Sequence, residues 1–182
     1  MRGVIAGRFI CCALVAAIVG IGSDMARAQS KPAQNAVLTL DHGWQFRQIL
    51  PGAQEAENGW LPATVPGDVH LDLLANKKIP DPFVRDNEAK LQWIEKESWE
   101  YRLNFEVTPS LLSRSNVDLV FDGLDGPATV YLNNAPPFSA GNSFRTWRIP
   151  AKGVLHAGKN QLRVVFASPL KACLLYTSQS LG

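Results

Sequence analysis

Cysteine is scarce in this chain: three in 182 residues, with Cys11 and Cys12 inside an apolar N-terminal run and Cys173 far from both. Once that run is removed, as argued below, only one cysteine remains and no disulfide framework can form within the chain. The fold must be held by its core. Charge of one sign is lacking too. The 18 basic and 16 acidic residues are interspersed, and no Lys/Arg cluster marks a nucleic-acid surface. Nucleic acid is therefore excluded as a partner. The recurrent catalytic signatures are also missing: there is no GxSxG elbow, no Gly-rich phosphate loop opening a helix, no CxxC and no HExxH. No metal or cofactor is expected. Asp68, His70 and Asp72 alternate, but on a helix such spacing does not converge on one ion. We expect Asp68 to be an N-cap, and His70 and Asp72 to be exposed polar positions.

A long hydrophobic run is missing as well. Phe9 to Ile21 is apolar, but falls short of the roughly 20 residues a membrane span needs. With Arg2 and Arg8 before it and Ala26-Arg27-Ala28 after it, the stretch reads as a secretory signal peptide over residues 1–28, cleaved after Ala28. The product is expected to be exported, periplasmic or extracellular, with no membrane attachment after cleavage; a retained anchor is the alternative reading. Cleavage removes three of the 18 basic and one of the 16 acidic residues, so the net charge falls to zero. Residues 29–36 read as a polar linker. About 150 residues remain, enough for one core.

What is present is period-two patterning. In Ser98 to Val107, SWEYRLNFEV, the residues Trp99, Tyr101, Leu103, Phe105 and Val107 alternate with five polar ones. Aromatic side chains of this size each withdraw roughly 150 to 250 Å² from water, so the strand belongs at the centre of a two-layer structure. Further strands are predicted at Val37–Leu40, Trp44–Leu50, Trp60–Val65, Asn116–Phe121, Ala128–Asn133, Phe144–Ile149 and Gln161–Phe166, bounded by turn residues. A short helix is expected from Val69 to Ala75 behind Asp68, and a second from Glu88 to Ile94 with Leu91 and Ile94 inward. A helical piece follows Thr108-Pro109 through Leu112. The pattern predicts an all-β fold, an antiparallel jelly-roll β-sandwich with one or two short covering helices.

Glycosidic hydrolysis needs two carboxylates roughly 5 to 9 Å apart. Asp81, Asp86, Glu88, Glu95, Asp122 and Asp125 are the carboxylates that stand out, but most fall in predicted turns, where solvation is the ordinary outcome. Trp93, Trp99 and Trp147 could stack on sugar rings or pack in the core.

The ordered series VPGDVHLDLL, IPDPF, DNEAKLQW and WEYRLNF between Val65 and Phe105, continued by FDGLDGPATVYLN, NSFRTWRI and GKNQLRVVF, resembles the N-terminal domain of β-mannosidases of glycoside hydrolase family 2. It runs from about Leu38 to Leu170. The resemblance implies a galactose-binding-like sandwich over 37–170, ahead of an immunoglobulin-like sandwich and a (β/α)₈ barrel. It implies a retaining exo-hydrolase acting on oligosaccharides with terminal β-mannose, whose two catalytic glutamates lie in the barrel; this domain would pack on those catalytic domains. A W-D-W-G stretch, the family's sugar contact in this domain, is expected soon after Leu170 and is not in these 182 residues. The tail 171–182 departs from the family, as do Gly126-Pro127 and Ser143. We expect a fragment, inactive alone, with a tail that is a frame or assembly artefact. Asn142 and Arg145, in the NSFR stretch, are the substrate-facing candidates by this resemblance, and a purely structural role at a turn or domain interface is the other reading for both. A free-standing carbohydrate-binding module, or the same domain from another family 2 glycosidase, are the alternatives.

Overall fold

The computed structural model describes residues 12–13, 36–50, 59–142 and 144–168. The expected linker before Ala36, the loop 51–58, the tail 171–182 and all of the expected signal peptide except Cys12–Ala13 lie outside these. Two layers face each other across an apolar core. The elements in chain order are β1 (Cys12–Ala13), β2 (Val37–Leu38), β3 (Gln45–Ile49), β4 (Leu61–Pro62), α1 (Val69–Ala75), α2 (Asn87–Lys90), a 3₁₀ turn (Ile94–Lys96) and β5 (Ser98–Val107). Then come α3 (Pro109–Leu112), β6 (Asp118–Phe121), β7 (Ala128–Leu132), β8 (Phe138–Ala140), β9 (Trp147–Pro150) and β10 (Gly158–Phe166).

One layer is a six-stranded antiparallel sheet in the order β4-β3-β5-β10-β7-β8. The pattern in SWEYRLNFEV is realised over the predicted span: β5 lies inside the sheet between β3 and β10. It pairs with β10 along its length, from Gly158 opposite Val107 to Phe166 opposite Trp99. Its apolar face enters the core, where Phe46 stacks on Tyr101 at 5.6 Å and Phe166 meets Tyr101 edge-on at 5.8 Å. In the second layer β6 pairs with β9 and supplies Leu119 and Phe121 to the same core. Val120, on the other face of β6, is buried as well. A smaller cluster of Val107, Leu111 and Val117 closes one end of the sandwich under α3.

Several expectations need correction. The strand predicted over Phe144–Ile149 begins only at Trp147, because 144–146 turn at the surface. The helix predicted over Glu88–Ile94 is α2 followed by a 3₁₀ turn, although Leu91 and Ile94 are buried as expected. Strand β8 was not foreseen; three residues after two prolines give almost no period to read. Val37–Leu40 and Trp60–Val65 shrink to two-residue strands.

Candidate functional site

The segment from Pro66 to Lys96 covers one end of the six-stranded sheet, and its attachment begins at the Val65-Pro66-Gly67-Asp68 turn. A Cβ at Gly67 would stand 2.3 Å from the carbonyl oxygen of Thr64, so only glycine lets the chain fold back this closely. Asp68 then caps α1 as predicted, its Oδ1 accepting the His70 and Leu71 N–H groups at 2.8 and 3.0 Å. Helix α1 buries Val69, Asp72 and Leu73, and the segment returns through buried Ile79, Leu91 and Ile94.

Asp72 is not exposed as expected; it is 2 % exposed, and His70 is half-buried. The Asp72 carboxylate accepts the Thr64 N–H at 2.8 Å and the Tyr101 hydroxyl at 3.0 Å, tying α1 to β5. Asn76 adds bonds to the carbonyls of Pro62 and Asp72. Burial pushes the Asp72 carboxyl above the usual carboxylate range; the Thr64 and Tyr101 bonds oppose that shift and the nearby Asp68 charge adds to it. Burial, then the Asp72 charge, raises the Tyr101 phenol too. Helical periodicity carried the signal for Asp72: positions 69, 72, 73 and 76 form an i, i+3, i+4, i+7 stripe on which Asp72 sits.

The other face of β5 holds a second buried carboxylate. Glu100, 3 % exposed, receives Arg47 Nε and Nη2, both at 2.7 Å on Oε2. Arg163 Nε lies 2.8 Å from Oε1 as an ion pair without hydrogen-bond alignment. Register makes this cluster, since Arg47 and Val165 stand opposite Glu100 on β3 and β10. Trp60 lies over it, with the Arg47 and Arg102 guanidinium carbons 4.4 and 4.0 Å from its ring centroid. Sequence reasoning missed Glu100, and no local pattern marks it.

Asn142 and Arg145 share one surface turn between β8 and β9. Asn142 Oδ1 accepts the Phe144 N–H at 2.8 Å, and the Asn142 carbonyl accepts Trp147 Nε1–H at 3.1 Å. Arg145 lies over the Trp147 ring at 4.1 Å. Both candidates are exposed, and each holds the turn. Ser143 lies outside the described residues. Of the tryptophans, Trp99 is core at 2 % exposure and Trp93 leans on it at 6.1 Å, so Trp99 offers no face to a sugar. Asp81, Asp86, Glu88 and Asp122 are exposed, and Glu95 and Asp125 half-buried. Among the described residues, no group of His, Cys, Asp and Glu is placed to hold a metal ion. None of the helices there is long and apolar enough to cross a membrane.

These groups sit on a two-layer β-sandwich with an ordered cover. The model of the glycosyl hydrolase 2 galactose-binding domain-like family matches residues 44–179. The chain belongs to this family. It is 37 % identical over 145 residues to Beta-mannosidase B of Thermothelomyces thermophilus, covering 79 % of this chain and 16 % of that protein. Beta-mannosidase B of Aspergillus niger is 38 % identical over 124 residues, 68 % of this chain and 14 % of its own. The crystal structure of Beta-D-Mannosidase from Dictyoglomus thermophilum superposes with a TM-score of 0.68 at 41 % identity, over 74 % of this chain and 16 % of that one. The exo-chitosanase CsxA of Amycolatopsis orientalis, at 20 % identity and a TM-score of 0.58, shares the fold. This family 2 domain thus spans about a sixth of the length of such relatives.

Proposed function

We propose that this domain is the N-terminal accessory sandwich of an exported β-mannosidase, a retaining hydrolase that removes terminal β-D-mannose from oligosaccharides. The observation that carries the reading is the 41 % identity to the Dictyoglomus enzyme over 74 % of the chain, far above the 20 % shared with the exo-chitosanase of the same fold. The cover from Pro66 to Lys96 supports it. Its IPDPF and DNEAKLQW runs are the ones that resemble β-mannosidases within the family, and a lone sugar-binding module would not need them. Within the parent, the domain packs on the catalytic part and Asn142 and Arg145 face the substrate side.

The buried carboxylates give no acid/base pair of their own. Asp72 is held by Thr64 and Tyr101, and Glu100 by two arginines. The 182-residue chain is therefore expected to release no nitrophenol from an aryl β-D-mannoside, whereas the polypeptide from the complete reading frame releases it. Cleavage by the complete product of aryl β-galactoside or β-glucuronide in preference to mannoside would overturn the reading. So would a reading frame that stops at Gly182, and sugar binding by the domain would then be measured in its place.

A further inference from the structure

Two phenylalanines are held out in the same way. Phe83 is 87 % exposed and Phe144 100 %, while the other exposed large apolar side chains among the described residues lie between 37 % and 57 %. In each case the residue two positions earlier accepts the phenylalanine's own N–H through its side-chain oxygen, Asp81 at 2.9 Å and Asn142 at 2.8 Å. Each turn is then braced. Asn87 Nδ2–H and Val84 N–H both donate to the Asp81 carbonyl, at 2.9 and 3.2 Å. Trp147 donates to the Asn142 carbonyl at 3.1 Å beneath Arg145.

A phenyl ring gains by leaving water, and a fixed backbone lowers the entropy lost when it does. We propose that Phe83 and Phe144 are docking anchors that enter apolar sockets on the remainder of the same polypeptide. The identity of that partner rests on the reading above. Relatives matched over 16 % of their length have most of their chain outside this domain, and that part needs a surface here to pack on. A free sugar suits these rings less well. A sugar's hydroxyls need polar partners, and the side-chain oxygen beside Phe83, that of Asp81, is taken by a backbone N–H.

The test is hydroxyl-radical footprinting, read by mass spectrometry, on the polypeptide from the complete reading frame. Phe83 and Phe144 are expected to oxidise as slowly as buried Phe46 and Phe121, at a rate unchanged on dilution. Oxidation as fast as in denaturant overturns the proposal. So does protection that falls on dilution, which assigns the cover to a second copy, and so does a reading frame that ends at Gly182. The doubly substituted F83S/F144S polypeptide is expected to unfold at a lower temperature than the parent sequence, although both rings are exposed in this domain. An unchanged transition also overturns the proposal. Protected rings in a polypeptide that does not cleave β-mannosides leave docking intact and overturn the functional reading instead.

Discussion

Asp72 and Glu100 are both buried carboxylates, and they differ in how each is neutralised. Asp72 has only neutral donors, so its folded form holds a proton more tightly than its unfolded one. Its contribution is fully present below the ordinary carboxylate value and is lost as pH rises through the raised folded one. Asp72→Asn is thus expected to compare better with the parent sequence near pH 7 than near pH 4, with midpoints taken from urea unfolding at both. Parallel midpoints would contradict this. Asp72→Leu strands the Thr64 N–H and the Tyr101 hydroxyl and is expected to cost about 1 to 3 kcal/mol at either pH. Glu100 faces two guanidiniums, and Glu100→Gln removes the buried negative charge that both of them pair with. Because Arg47 and Arg163 are partly open to solvent, the expected loss in the same assay is about 2 to 4 kcal/mol, toward the low end for a broken buried pair. A loss below Arg163→Met would refute the role. The two were unequally legible: Asp72 lay on a helical stripe that could be read, but Glu100 gains its partners from strands 53 residues before it in Arg47 and far beyond it in Arg163.

Elements fixed by their own local chemistry came out at their predicted bounds. Strand β5 alternates without a break, and α1 has a side-chain cap at one end and Asn76 at the other, so Ser98–Val107 and Val69–Ala75 stand as read. Elements fixed by distant partners did not. Strand β8 exists because Ala128–Val130 offers it an edge, and β9 starts at Trp147 because Phe121 pairs there. The cover depends on Gly67 in a way that turn propensity alone does not convey. Gly67→Ala drives a methyl group into the Thr64 carbonyl, and is expected to destabilise the domain by about 1 to 3 kcal/mol. Hydrogen exchange is expected to quicken in α1 more than in β10; equal protection in both would show that the turn gives way instead.

At the scale of the molecule, the sandwich was legible because alternation forces two apolar faces together, and the family because ordered motifs run along the chain. Asn142 and Arg145 were chosen by resemblance, and their visible bonds brace a turn whose most exposed member is Phe144. The pairing of β5 with β10 has a bearing on time as well as on form. The strand predicted to sit at the centre meets one neighbour, β3, from earlier in the chain, but its other neighbour begins only at Gly158, after β6, β7, β8 and β9 have all been made. Pairings so distant in sequence close slowly. During synthesis, the β5 edge that β10 will cover therefore stays open until residue 166 has emerged. Its backbone groups are unprotected for that interval, and a chaperone or a neighbouring nascent chain can reach them before β10 does.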